Sequence, residues 1–99
     1  MNIWEAAKDG YCQRLSQLLS EGINVNSLDK SFQSTALIYA CQEGHLDVVQ
    51  LLLDRNADIT IQDVLNQSAL SAAELSKNDE IIALVSSLKN DYLKRCSAD

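Results

Sequence analysis

The amino-acid sequence repeats itself at an interval of about 33 residues. Residues 5–29 align with residues 39–63 at an offset of 34, and residues 34–52 align with residues 67–85 at an offset of 33. The two offsets differ by one, which predicts an inserted residue near Phe32. A unit of this length cannot bury its apolar face alone, so the repeat predicts a stack in which neighbouring units cover one another.

Each unit has the apolar pattern of two short helices. In the middle unit the first helix is predicted at about residues 36–43, with Thr35 as the N-cap residue that accepts from the free backbone N–H groups of the first turn. Leu46, Val49 and Leu52 recur at helical spacing through the second helix, and this apolar stripe needs a neighbouring surface to cover it. The chain is therefore predicted to be all-α.

Glycine and asparagine mark the places where the chain must turn. Gly44 separates the two helices of the middle unit. Gly22 and Asn56 follow the second helices of the first two units, where a left-handed C-cap favours glycine first and asparagine second. Asn66 lies in a polar segment where a tight turn favours a positive φ. The sequence predicts a positive φ at all four positions.

Size and composition limit the classes of protein that the chain can be. Its 99 residues allow one domain, at residues 1–99, and the 46% of hydrophobic residues and 22% of charged residues are typical of a folded protein. No apolar run reaches the length of about 18 residues that a membrane span requires. A chain this short has little interior beyond its core, which disfavours an enzyme with a deep cleft.

The charges and the cysteines favour a protein partner in a reducing compartment. Eight Lys and Arg residues stand against fourteen Asp and Glu, giving a net charge of -6, and the cations form no basic stripe. This distribution argues against nucleic-acid binding and favours a neutral or basic partner. Three widely spaced cysteines, Cys12, Cys41 and Cys96, cannot form a closed disulfide framework, so we expect a cytoplasmic protein.

The middle unit closely resembles the ankyrin repeat, whose period is about 33 residues and whose signature includes T-P-L-H-x-A. Residues 35–40, T-A-L-I-Y-A, stand in for that signature, and Gly44-His45 and an apolar second helix follow. The departures from the pattern are Ala36 and Ala69 for proline, Ile38 and Ser71 for histidine, and Lys77-Asn78 for Gly-His in the last unit.

The resemblance covers nearly the whole chain and implies an architecture. It is an ankyrin-repeat solenoid of three helix-turn-helix units with short β-hairpin or turn fingers. Repeat 1 is expected at about residues 1–30 as the N-terminal cap, repeat 2 at about residues 31–63, and repeat 3 at about residues 64–90 as the C-terminal cap, followed by a tail at residues 91–99. The terminal units are expected to turn a polar outer face to water.

The resemblance also implies a function, because ankyrin-like proteins act as binding modules. We expect a non-enzymatic protein-interaction module, an adaptor or a small regulatory or inhibitory subunit, that acts as a monomer. The surface carried over from the family is concave and is formed by the fingers and the exposed side of each first helix. Its expected partner-binding residues are Lys8, Asp9, Lys30, Ser31, Phe32, Ser34, Gln42, Glu43, Val64, Leu65, Gln67 and Leu75.

The partner that would suit this surface is a helix or an extended segment with neutral or basic residues, since acidic and apolar groups are interleaved there. A microbial effector that binds a host protein through the same surface is the alternative reading. It would share the binding mechanism and differ in whose protein is bound.

Cys41 and His45 raise the hypothesis of a thiol enzyme, because a thiolate–imidazolium pair is a nucleophile. Gly44 breaks the helix between them, and in an ankyrin-like unit Cys41 takes the place of a core alanine while His45 caps the second helix. The cysteines and the single histidine also lack the spacing of zinc ligands. We therefore expect no catalytic residue, no metal site and no cofactor.

Two aromatic residues have open interpretations. Trp4 either covers the core of the first unit beside Leu15 and Leu19 or anchors a partner, since tryptophan is enriched at binding hot spots. Phe32, the single phenylalanine, lies in the polar segment around the inserted residue, where no helix requires it. It either packs under a finger or contacts a partner.

The chain contains no proline, although the ankyrin signature places one at the start of the first helix. Proline presets the backbone angle of that position. We expect Ala36→Pro and Ala69→Pro together to raise the melting temperature measured by circular dichroism. A clear fall would contradict the alignment.

Overall fold

The structure, a computed structural model, describes residues 2–87 of the chain. The helices come in consecutive pairs, each pair joined by a short turn. The first five helices are α1 (Ile3–Asp9), α2 (Cys12–Ser20), α3 (Ala36–Glu43), α4 (Leu46–Asp54) and α5 (Ala69–Ser76). Residues 79–87 are also helical and form α6. This arrangement confirms the prediction of an all-α solenoid of helix-turn-helix units; the expected tail at residues 91–99 lies outside the described residues.

The first helix of each pair begins with the same device. A side-chain oxygen of the N-cap residue accepts from the backbone N–H three residues on, as predicted at Thr35. The donor–acceptor distances are 2.8 Å from Glu5 N to Asn2 Oδ1, 3.2 Å from Ile38 N to Thr35 Oγ1, and 3.4 Å from Ser71 N to Ser68 Oγ. Thr35 and Ser68 also have extended backbones, which is the conformation compatible with a proline at the next position.

The predicted turn positions have the left-handed backbone. The φ values are 76° at Gly44, 100° at Gly22, 65° at Asn56 and 60° at Asn66, which confirms all four predictions. Lys77, which replaces the usual glycine after α5, adopts the same conformation with a φ of 59°. The turn is therefore kept in the third unit, at some cost in backbone strain.

Two layers of helices enclose the core. α3 lies between α1 and α5 and also contacts α4, while α2 packs against α1 and α4. The contacts among the first helices are lined by alanines with almost no exposed surface, which lets the backbones approach closely: Ala6, Ala7, Ala36, Ala40, Ala69, Ala72 and Ala73. Larger apolar side chains of the second helices, such as Leu15, Leu52 and Ile81, complete the core. Burial of this apolar surface between repeats is the main stabilising term.

Side chains at the turns after α3 and α5 connect neighbouring repeats. His45 Nε2 lies 2.9 Å from the backbone oxygen of Lys8, and Asn78, at the equivalent position one repeat later, donates to the backbone oxygen of Gly44 at 3.5 Å. His45 is the N-cap residue of α4, as predicted, but its ring makes no hydrogen bond to the start of that helix and reaches the preceding repeat instead. A side chain at Gly10 would place its Cβ 3.0 Å from this ring.

The polar segments between repeats fold into two fingers, finger 1 at residues 28–34 and finger 2 at residues 62–67. Asp29 N donates to Ser34 O and Asp63 N donates to Gln67 O, each at 3.0 Å. The hydrogen bond that closes finger 1 joins residues five positions apart, whereas the one that closes finger 2 joins residues four positions apart. The inserted residue therefore lies inside finger 1. Both fingers consist of turns, and no strand occurs among residues 2–87, so the β-hairpin form is not seen there.

Leu52 tests the contribution of the core. Leu52 belongs to α4, and its side chain is fully buried in the core. Leu52→Ala should therefore lower the free energy of unfolding, measured by urea denaturation, by about 2–5 kcal/mol. Leu75→Ala is the matched control, because Leu75 is 64% exposed, and it should change the unfolding free energy by less than about 0.5 kcal/mol. Equal losses in the two variants would contradict the assigned core.

Candidate functional site

Asp29 holds finger 1 in shape and ties it to α3. Its Oδ1 accepts from Phe32 N at 3.1 Å and from Ser34 N at 3.0 Å, and its Oδ2 accepts from the hydroxyl of Tyr39. Burial acts to raise the pKa of Asp29, but the hydrogen bonds from Tyr39 and from backbone N–H groups outweigh it and lower the pKa below its ordinary value. The carboxylate is therefore ionised and fully engaged at neutral pH.

Tyr39 is the donor in this pair across a wide range of pH. Burial, the hydrogen bond to Asp29, and the negative charges of Asp29 and Asp63 raise the pKa of the Tyr39 phenol to about 12. Since Tyr39 belongs to α3, the hydroxyl fixes the position of finger 1 over the first helices. The finger and the helix layer thus form the two sides of a groove.

Two depressions follow this groove and share Tyr39 as a wall. The first has a volume of about 440 Å³ and lies between α1 and finger 1, lined by Asn2, Trp4, Glu5, Lys8, Leu28, Asp29, Lys30, Ser31 and Tyr39. The second has a volume of about 120 Å³ and lies between the two fingers and α3, lined by Phe32, Ser34, Tyr39, Gln42, Asp63 and Leu65. Both are open and shallow, so they suit side chains of a protein partner better than an enclosed small molecule.

The fingers contact each other and carry exposed apolar side chains. Val64 N donates to Phe32 O at 2.9 Å, which fixes the two finger tips side by side. Large apolar residues exposed on the fingers are Leu28, Phe32, Val64 and Leu65, with exposed fractions of 48%, 47%, 53% and 63%. Contiguous exposed apolar surface of this kind is typical of an interaction site.

The two depressions contain seven of the twelve residues expected on the binding surface. Those that line the first depression are Lys8, Lys30 and Ser31, and those that line the second are Phe32, Ser34, Gln42 and Leu65. Asp9, Glu43, Val64 and Leu75 are exposed outside the two depressions. Gln67 is half-buried and its Oε1 accepts from Gln42 Nε2 at 2.6 Å, which connects finger 2 to α3.

Ser34 differs from the expectation of an exposed contact residue. Only 1% of its surface is exposed, because its backbone N–H and C=O both bind Asp29 and draw the residue under the finger. Its hydroxyl has no hydrogen-bond partner among the described residues.

Sequence reasoning missed Tyr39, which is the residue common to both depressions. Tyr39 occupies the variable position x of the T-P-L-H-x-A signature. A large aromatic residue with a hydroxyl at this position is the feature of the sequence that could have indicated its role. Trp4 is half-buried against the core, its Nε1 donates to Ser27 O at 3.0 Å, and it also lines the first depression. The structure thus shows the packing role of Trp4, and its role as a partner anchor stays a prediction.

The proposed pairing of Cys41 and His45 has no support in the geometry. Cys41 is fully buried, and burial raises the pKa of its thiol to about 12, so the nucleophilic thiolate is disfavoured at neutral pH. α3 ends at Gly44 between the two residues, and the His45 ring binds the backbone of α1.

Over residues 2–87 no helix combines the length and the apolar character needed to cross a bilayer. In the same range no three His, Cys, Asp or Glu side chains are grouped so that they could hold a metal ion.

Comparison with known proteins agrees with the repeat and the fold. The family model described as ankyrin repeats (3 copies) matches residues 3–95. The chain belongs to the ankyrin repeat family. Ankyrin repeats are protein-interaction modules, and the family is in general non-catalytic, although some relatives are multi-domain enzymes.

The similar proteins are much longer than this chain. Protein HOS4 of Saccharomyces cerevisiae is 35% identical over 100 residues, covering 97% of this chain and 9% of HOS4. A probable E3 ubiquitin-protein ligase, XBOS32 of Oryza sativa, is 41% identical over 81% of this chain and 16% of its own length. An ankyrin repeat-containing protein of Schizosaccharomyces pombe is 34% identical over 74% of this chain and 35% of its own length. The chain thus spans about a third or less of these relatives.

The hydrogen bond between Tyr39 and Asp29 can be tested through pH. At pH 7 we expect Tyr39→Phe to lower the unfolding free energy by about 1 kcal/mol, since the bond involves a partly exposed charged group. The lowered pKa of Asp29 stabilises the folded chain above the ordinary carboxyl pKa, and that contribution is lost as the pH falls through the lowered pKa. The difference in unfolding free energy between wild type and Tyr39→Phe, measured by denaturation, should therefore become smaller below about pH 4.

Tyr11→Phe is the control for this measurement, because Tyr11 is 52% exposed on the other helix layer. It should leave the unfolding free energy within about 0.5 kcal/mol of wild type at every pH. A Tyr39→Phe effect that stays constant from neutral to acid pH would contradict the role given to Asp29.

Proposed function

We propose that the chain is a non-enzymatic binding module that holds a partner protein on its concave surface, formed by the two fingers and the exposed sides of α1, α3 and α5. The observation that carries this proposal is the placement of exposed apolar side chains on the fingers. Of the seven large apolar residues exposed in residues 2–87, four lie on the fingers and a fifth, Leu75, lies near the end of α5.

The energetics of this surface suit a modest interface. Phe32 and Leu65 stand at the rim of the second depression, and Trp4 and Leu28 line the first. Burying such side chains supplies the favourable term, while fixed hydrogen bonds at Asp29 and Val64 N limit the ordering that binding must impose on the fingers. A surface with two fingers is small, which favours a transient complex.

An adaptor or a small regulatory or inhibitory subunit is the role that we infer for such a module, and the exposed apolar side chains on the fingers support it. The net charge of -6 favours a neutral or basic partner segment. A microbial effector would use the same surface on a host protein.

Affinity capture with matched variants tests the surface. The chain is immobilised and exposed to a soluble extract of the source cells, and captured proteins are identified by mass spectrometry. The concave variant replaces Phe32, Glu43 and Leu65 together with alanine. It should reduce recovery of the specific partner by about tenfold or more, since a few anchoring side chains supply most of the binding energy at an interface.

The control variant replaces Tyr11, Glu21 and Ile23 together with alanine. It removes one aromatic, one acidic and one aliphatic exposed residue that flank α2 and line neither depression, so its losses match those of the first variant. It should recover the partner as wild type does. Partners recovered equally by wild type and by the concave variant would overturn the proposed surface.

A further inference from the structure

Asp63 is a largely buried residue whose two carboxylate oxygens have different surroundings. It is 7% exposed, and its Oδ1 accepts from Leu65 N at 2.8 Å and from Gln67 N at 3.0 Å. Its Oδ2 accepts from no donor within residues 2–87 and is open to solvent. This second oxygen is therefore an acceptor that a donor from a partner can reach.

Asp29, one repeat earlier, shows the equivalent oxygen bound by a donor of the chain itself. The two aspartates occupy the same position in their fingers and cap the same turn through Oδ1. Asp29 Oδ2 accepts from the Tyr39 hydroxyl, but the residue at the position equivalent to Tyr39 in α5 is Ala72, which has no hydroxyl and is fully buried. The third repeat therefore supplies no counterpart of Tyr39.

The surroundings of Asp63 define the chemistry of a donor that could fit. The second depression has aromatic and aliphatic walls at Phe32, Tyr39 and Leu65, and Ser34, whose hydroxyl is buried and has no partner among the described residues, also lines it. No cationic side chain lines this depression, whereas Lys8 and Lys30 both line the first one.

We propose that the second depression binds an arginine side chain from the partner protein. This inference rests on the proposed function and specifies the partner. A guanidinium group offers five donors in one plane, which suits the Oδ2 of Asp63 and the side-chain amide oxygen of Gln42, two residues that line the same depression. Its flat face stacks on aromatic rings, and its aliphatic stem packs along apolar walls such as Leu65.

Arginine suits the depression better than lysine does. The lysine ammonium is a compact and strongly hydrated charge, which loses more hydration on entering a half-buried site and gains no stacking from Phe32 or Tyr39. The net charge of -6 favours the approach of either cation, so the local shape makes the choice between them.

An NMR titration of the whole chain with capped amino acids tests the proposal. The probe is N-acetyl-arginine N-methylamide, with the citrulline and lysine analogues as controls, and the readout is the amide and side-chain resonances of Gln42, Leu65 and Gln67 in low salt. We expect saturable shifts with arginine and binding at least about fivefold weaker with citrulline, which keeps the shape of arginine and lacks its charge. We expect lysine to bind more weakly than arginine.

Asp63→Asn and Asp54→Asn are the matched variants, since each removes one negative charge. In Asp63→Asn the asparagine keeps an Oδ1 acceptor for the turn and replaces the second oxygen with an amide donor. Asp63→Asn should weaken arginine binding by about fivefold or more, while Asp54→Asn should leave it within about twofold of wild type, because Asp54 is exposed at the end of α4 and lines neither depression.

Several outcomes would overturn the proposal: no saturable shift with arginine, equal binding of arginine and citrulline, or equal effects of the two variants. The comparison of arginine with citrulline uses the wild-type chain, so it decides the question even where Asp63→Asn does not fold. If arginine does not bind but the concave variant loses the partner, this inference is overturned and the proposed function stands.

Discussion

Close packing among α1, α3 and α5 is the contact on which the rest of the structure depends. Alanines such as Ala6, Ala40 and Ala73 line these contacts with no exposed surface, so neighbouring repeats approach closely and keep a constant register. Because each repeat can bury its apolar face only against the next, this register also sets the spacing of the fingers. The groove is thus a consequence of how the core is buried.

The capping and turn residues were predictable from the sequence, because their effects are local. Thr35, Gly44 and Asn66 act through their own backbone or through residues a few positions away, and the structure confirms all three. The position of His45 at the start of α4 was predictable, but the contact made by its ring was not. Its ring binds the carbonyl of Lys8 in the preceding repeat, and no local pattern contains that contact.

In the candidate site, too, the features that depend on local sequence were predictable and the contacts between distant segments were not. The repeat offset predicted an inserted residue near Phe32, and the longer closure of finger 1 confirms it. The link from Tyr39 to Asp29 depends on how finger 1 lies over α3, so it could not be derived from spacing alone. The contrast between Asp29 and Asp63 also appears only in three dimensions, since both aspartates have the same place in the sequence repeat.

The proposed binding of a partner on the concave surface is tested most directly by hydrogen exchange of the chain with and without a captured partner, analysed by mass spectrometry. We expect slower exchange of backbone amides in residues 28–34 and 62–67 and in the first helices on binding. Slower exchange confined to α2 and α4, with the fingers unchanged, would contradict the proposed surface.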